Sequence, residues 1–262
     1  MPYKYETHMH TSQGSDCSST SGARMIERLY NLGYTGCFIT DHFFGGNTAV
    51  KSEMRKLPWE VRVRLFCQGY DDAKKRGDEL GFQVFFGLEF GWRATEFLTY
   101  GVDMQFLIDH PEIEDMPLPR FADLVHSCGG FVIHAHPFRE ADYISTIRLY
   151  PHKVDGVEVY NCNNCDEYNN RAKWYADSFG LPKTGGSDSH HFWCHPNGGI
   201  ETEKRLESPQ DYLSAIQLGS VRILERDHST DLDPGADVWQ SVVRPDIALL
   251  PESAKRLLKK EI

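Results

Sequence analysis

The chain has 262 residues, 40% hydrophobic and 25% charged, the composition of a soluble globular protein rather than a disordered or fibrous one. A formal net charge of −10 argues against an extended nucleic-acid groove, which gathers Lys and Arg against phosphates, but leaves room for a small phosphorylated substrate held through metal ions. No apolar run approaches the ~20 residues needed to cross a membrane. No signal peptide precedes the first strand-like segment, and seven cysteines, an odd count, read as the reduced thiols of a cytoplasmic protein.

Strand-like and helix-like segments alternate along the chain. Residues 3–7 read as a strand, followed by a helix over 22–32 capped by Ser21 and stopped by Gly33. A strand over 35–40 delivers Asp41 and His42, and Pro58 opens one long helix to about residue 80, ended by Gly81. Residues 83–89 form a strand ending on Glu89, with 97–102 as an extended partner. Further on, a helix over 119–127 precedes a strand over 130–134, and a strand over 154–160 precedes a helix over 166–179. A strand over 183–185 then meets a Gly-Ser-Asp-Ser-His turn, Ser208 opens a helix to about 218, and 251–260 is a short amphipathic helix. Repeated β-then-α alternation implies parallel strands with crossover helices, and the length suits a single α/β barrel. The chain reads as one domain, 1–262, with a motif-bearing core over about 3–200 and a helical and strand extension over about 201–262.

Chemistry-bearing residues fall in five islands, most at strand ends. They are residues 7–16 with His8, His10 and Asp16; 39–42 with Asp41 and His42; 86–89 with Glu89; 132–137 with His134 and His136; and 184–190 with Asp188 and His190. His8 and His10 alternate along a strand and so project from one face. Singly, each island has a plain alternative, such as a surface His pair or an Asp cap. Glu89, where a strand leaves the core, would be costly without a partner. Two glycines before Ser187 permit close backbone approach. Together the islands point to a cluster of divalent ions, because imidazole and carboxylate donors suit zinc, manganese or iron and a shared carboxylate can bridge two ions. Cys162 and Cys165, a lone pair in an Asn-rich stretch, read as a loop rather than a structural zinc site.

In these islands and their order, over roughly residues 3–200, the sequence resembles the PHP (polymerase and histidinol phosphatase) family. The resemblance implies a distorted (β/α)7, TIM-like barrel with two or three divalent ions at its C-terminal face. Carried over residue by residue, it implies that His8, His10, Glu89 and Asp188 hold the first ion. Glu89 would bridge to a second that takes His136, and Asp16, His42 and His190 would form the third site. Asp41 would orient an imidazole. Many members carry a further His ligand after the Glu; here the run is Glu96-Phe97-Leu98-Thr99-Tyr100, with Leu98 at the ligand position. His134 is then either a substitute ligand or a hydrogen-bonded barrel residue.

Clustered ions generate hydroxide at neutral pH and clamp phosphoryl oxygens. The expected reaction is therefore hydrolysis of a small phosphate ester by metal-activated hydroxide: a nucleotide, an oligonucleotide end, a sugar phosphate or histidinol phosphate. Arg139 has the planar fork for phosphate, and Asp16, His42 or His190 would assist the leaving group. Tyr160, Asn161, His191, Trp193 and His195 are placed at the rim. Two other classes stay open: an amidohydrolase-like C–N hydrolase, against which no lysine ends a strand, and a non-catalytic metal-binding module.

Overall fold

The strands of the computed structural model, which describes residues 2–193, 198–232 and 242–258, send alternate side chains to two cores. Tyr5, Phe38, Leu98, Tyr100, Phe131 and Ile133 meet in an inner cluster. Phe86, Leu88, Phe97 and Val132 belong to a different one, packed with helical residues such as Phe66, Phe106 and Phe121. A sheet that is apolar on both faces curls into a barrel with a filled interior and a coat of helices.

The strands are β1 (Tyr3–Glu6), β2 (Gly36–Ile39), β3 (Gln83–Trp92), β4 (Thr95–Tyr100), β5 (Phe131–His134), β6 (Gly156–Asn161), β7 (Lys183–Gly186), β8 (Ile200–Thr202) and β9 (Val221–Ile223). The helices are α1 (Gly22–Asn31), α2 (Trp59–Phe66), α3 (Gln68–Leu80), α4 (Met104–Asp109), α5 (Leu118–Ser127), α6 (Asp166–Phe179), α7 (Pro209–Gln217) and α8 (Glu252–Leu257). Spatial order is β7-β6-β5-β4-β3-β2-β1-β8-β9, a nearly closed barrel. Neighbours β1, β2 and β3 are parallel, as are β5, β6 and β7. Tyr212 and Ile216 of α7 join the inner cluster. No helix among the described residues is long and apolar enough to cross a membrane.

The parallel rhythm is interrupted at β4, which runs antiparallel to both neighbours. Its hairpin with β3 turns on Arg93 and Ala94, with φ of 54° and 56° and Trp92 paired to Thr95 across them. A two-residue turn with both φ positive allows only an antiparallel return. β8 and β9, strands of the expected C-terminal extension that the sequence reading did not place individually, continue the sheet, β8 antiparallel to β1 and β9 antiparallel to β8.

The expected long helix is two, α2 and α3, divided at Cys67. At the start of α3, Gly69 passes so close to the first island that an added Cβ would lie 1.9 Å from Thr11 Oγ1 and 2.9 Å from Asp41 Oδ2. The ends of α6 fall as the sequence indicates, and Ser21 caps α1 by accepting from Arg24 N.

Helix propensity alone makes Gly69→Ala stabilising by about 0.5–1 kcal/mol. Collision with Thr11, whose hydroxyl donates to Asp41 Oδ2 at 2.7 Å, reverses the sign to a loss of about 1–3 kcal/mol. Thermal or denaturant unfolding of the variant reads the difference.

Candidate metal centre

One rim of the barrel collects the five islands. His8 and His10 follow β1, Asp41 and His42 follow β2, Glu89 lies on β3, His136 follows β5, and Asp188 and His190 follow β7. Beyond the strands the backbones stay joined: His10 N donates to Ser189 O (2.9 Å), Asp188 N to His8 O (2.8 Å) and Glu89 N to Asp41 O (2.9 Å). Gly186 is required where β7 meets β1, since a Cβ there would lie 2.5 Å from both His8 Cβ and Glu158 Oε1. His136 and Asp188 have left-handed backbones, φ 25° and 56°. Such strain at non-glycine residues persists where surroundings impose it, commonly at functional sites.

The turn at His136 also settles the position of His134. Strand alternation breaks there, so the two rings do not share a face. His134 pairs across the sheet with Phe97, stacks on its ring at 4.8 Å and meets Tyr175 edge-on at 5.8 Å. Burial, and then the nearby His136, push its pKa down to about 3, and neither ring nitrogen has a hydrogen-bond partner. It joins none of the potential ligand groups found among the described residues. The substitute-ligand expectation is corrected: His134 is a neutral packing residue.

Hydrogen bonds behind the rings decide which nitrogens face the centre. His8 Nδ1 donates to Glu158 Oε1 (2.8 Å), a carboxylate that only accepts. Ser15 Oγ spends its proton on Asp41 Oδ1 (2.7 Å), so His10 Nδ1, 3.0 Å away, must donate to it. Asp41 thus orients an imidazole through Ser15, as carboxylates behind metal-bound histidines do. Nδ1 of His190 donates to Asp188 O at 2.8 Å. The Nε2 atoms of His8 and His10 are left facing each other at 3.2 Å, with Asp188 Oδ1 3.4 and 3.1 Å from them.

Glu89 stands between two sets of imidazoles. Its Oε1 is 3.4 Å from His8 Nε2 and 3.2 Å from His136 Nε2, and its Oε2 is 3.5 Å from His10 Nε2 and 2.7 Å from His42 Nδ1. The last two atoms are buried and close, yet not aligned as a hydrogen bond. Acceptors so crowded require positive charge. Burial disfavours charge on His8 and His42, but Glu158, Asp188 and Glu89 outweigh it at His8, and chiefly Glu89 at His42, raising both pKa values. Burial likewise opposes ionisation of Glu89, yet His42 and His8 hold its carboxyl well below the usual range. Divalent ions fit this donor set: His8, His10 and Asp188; His8, Glu89 and His136; His42, Glu89 and Glu96; and His10, His42 and His190 each offer atoms within 4.8 Å of one another.

Glu96 enters where Leu98 seemed to leave a gap. Both project from the same face of β4, but Leu98 is fully buried in the inner cluster, while Glu96 sits nearer the rim. Its Oε1 is 3.7 Å from His42 Nδ1 and its Oε2 is 3.5 Å from His136 Nε2. Two-residue alternation carried this signal, since Glu96 precedes Leu98 by one strand repeat.

Asp16 is not brought to the cluster. Its backbone N donates to Asn47 O (2.8 Å), and its side chain, a third exposed, pairs with Lys51 and Arg244. Arg244 also clamps this loop, with Nη1 donating to the carbonyls of Ser12 (2.9 Å), Ser15 (3.1 Å) and Ser18 (3.3 Å) and Nη2 to that of Asp16 (3.0 Å). Cys17 lines the same cavity as His190 and His42. Burial raises the thiol's pKa, but those rings bring it down to about 7.

Arg139 donates to Asp188 Oδ2 and, at 3.3 Å, to Asn161 Oδ1. Asn161 in turn donates to Glu158 Oε2 at 2.9 Å, so both brace the centre. Tyr160 faces elsewhere, its hydroxyl accepting from Arg226 N (2.9 Å). His191 meets Ser19 Oγ at 2.7 Å and stacks on Trp193 at 4.5 Å. His195 lies outside the described residues. Above the cluster opens a cavity of about 660 Å³ lined by Cys17, His42, Arg93, Glu96, Arg139 and Tyr143, among others.

A family model described as PHP-associated matches residues 166–221. No curated protein matches the sequence. Among solved structures, the chain resembles a two-domain protein from Bacteroides vulgatus containing a predicted PHP-like metal-dependent phosphoesterase, with a TM-score of 0.61 and 14% identity over 85% of this chain. It spans 64% of that protein's length. PsfC from Pseudomonas syringae follows with a TM-score of 0.57 and 16% identity, covering 91% of this chain and 94% of that one. The lesion-specific endonuclease PfuEndoQ from Pyrococcus furiosus gives 0.51 and 13%, over 85% of this chain and 58% of that one. At these identities the likeness is one of fold.

Glu96→Gln is expected to weaken metal binding on the order of tenfold to hundredfold. Leu98→His should leave the metal count unchanged and destabilise the fold by about 2 kcal/mol or more, because it buries an unpartnered imidazole; metal analysis and unfolding curves separate the two. Because His8 and His42 have raised pKa values, protons compete with the ions, so affinity should climb with pH until both rings are bare. Calorimetric titration in two buffers of different ionisation enthalpy counts the protons released.

Proposed function

By fold and by its PHP-associated segment the chain is a PHP-domain protein, and from that premise we propose that it is a metal-dependent hydrolase of phosphate esters. The substrate class is a small phosphorylated molecule: a nucleotide, an oligonucleotide end, a sugar phosphate or histidinol phosphate. The observation that carries this reading is Glu89, whose two carboxylate oxygens each face a different pair of imidazoles, as a carboxylate shared between two ions must.

His8, His10 and Asp188 would hold one ion, His136 would complete a second with Glu89, with Glu96 Oε2 3.5 Å from its ring, and His42 and His190 would serve a third with His10. Such ions supply Lewis acidity toward phosphoryl oxygens and a water activated at neutral pH. The chain's own residues do the positioning. Glu158 and Ser15 fix the ring orientations of His8 and His10. Arg139 holds Asp188 in place and, with Arg93, lines the cavity above, where guanidinium forks suit the remaining ester oxygens. A cavity of about 660 Å³ admits one small ligand rather than a bound duplex, in keeping with the net charge of −10.

Phosphate release from mononucleotides, 3′,5′-bisphosphates, short oligonucleotides, sugar phosphates and histidinol phosphate tests the proposal. Protein loaded with a counted amount of manganese or zinc should turn over at least one class and lose that activity in chelator. Asp188→Ala should lower kcat/KM by about a hundredfold or more. No turnover of any ester by metal-loaded protein, or full activity in Asp188→Ala, would sink it.

A further inference from the structure

The loop of residues 12–19, Ser-Gln-Gly-Ser-Asp-Cys-Ser-Ser, contributes nothing to the hydrophobic cores of the described residues, so polar bonds settle where it lies. Three imidazoles are nevertheless oriented from it. Ser15 Oγ accepts from His10 Nδ1 (3.0 Å) and from the backbone N of His42 (2.9 Å). Ser18 Oγ and Ser19 N both donate to the carbonyl of His190, at 2.7 and 3.1 Å. These are the three rings whose nitrogens lie within 4.8 Å of one another in the group assigned above to a third ion. The other ligands are held from elsewhere. Glu158 takes Nδ1 of His8 (2.8 Å) and the backbone N of His136 (3.0 Å), and Arg139 pairs with Asp188.

Four carbonyls of the loop, those of Ser12, Ser15, Asp16 and Ser18, converge on the Arg244 guanidinium at 2.9–3.3 Å. Carbonyl dipoles gathered in this way repel one another unless donors stand among them, and a guanidinium carries five N–H groups in a rigid fork. The segment that bears Arg244 has its own anchors. Asp246 N donates to Gln68 Oε1 (2.7 Å), Gln68 Nε2 donates to Asp246 O (2.8 Å), and Leu250 and Ala254 are buried in the helical core.

We propose that Arg244 is a positioning residue for the third ion: by gathering the loop's carbonyls it fixes the base from which His10, His42 and His190 are oriented. The inference rests on the third-ion reading above.

Stepwise cobalt(II) titration of the metal-free protein, followed by calorimetry and visible absorption, tests this without reference to catalysis. Wild type should bind three ions in separable steps, and His190→Ala should identify the third by losing it. Arg244→Ala should weaken that same step on the order of tenfold to hundredfold, leave the other two within about twofold, and cost nothing further in a His190→Ala background. Arg244→Lys, with the charge but not the fork, should recover part of the loss. Gln68→Ala, which loosens the same segment but keeps the guanidinium, should lower Tm and retain the third ion. Equal weakening of every step by Arg244→Ala, an undiminished loss in the His190→Ala background, or the third ion lost in Gln68→Ala overturns the positioning role and leaves the metal centre standing. Steps that are all indifferent to His190→Ala overturn the third-ion reading and the inference with it, and no cobalt bound at all overturns the metal centre itself.

Discussion

The structure is organised around a concentration of electron pairs that cannot stand alone. Two bare imidazole nitrogens 3.2 Å apart and the carboxylates of Glu89 and Asp188 converge at a fully buried place. Left uncompensated, charge of one sign in such a setting costs several kcal/mol per group. Only cations of some kind relieve it. The surrounding carboxylates raise the pKa values of His8 and His42 accordingly, and in the proposed holoprotein divalent ions would supply the charge. The barrel brings these groups together from strands far apart in sequence, and the folding free energy holds them there.

A layer of residues behind the ligands gives the cluster its shape. Glu158 fixes one ring, the Ser15–Asp41 pair fixes another, and Arg139 and Asn161 brace Asp188. Each does so with hydrogen bonds whose donor and acceptor roles are dictated by chemistry. Freedom is lost before any ion arrives, so binding need not order the ligands itself.

Much of this was legible in the amino-acid order. Strand ends bearing His and acid announced the centre, and α6 was bounded correctly because Gly180 stops it with a left-handed residue. What stayed hidden depends on contacts remote in sequence. Glu158 sits mid-strand in an apolar run and acquires its role only from His8, 150 residues away. Glu96 was in view, but one strand repeat separates it from Leu98, and depth in the barrel decides which of them reaches the rim. His134 looked like a partner of His136 until a backbone φ of 25° broke the alternation between them. Asp16 stands outside the cluster because Lys51 and Arg244 pair with it, which no local pattern near residue 16 announces.

The Arg244 clamp ties the two ends of the chain into one equilibrium. Its guanidinium gathers four carbonyls of the loop that carries Cys17, across as many as 232 residues. Release of the segment around Arg244 would leave four carbonyls of the first island without their shared donor.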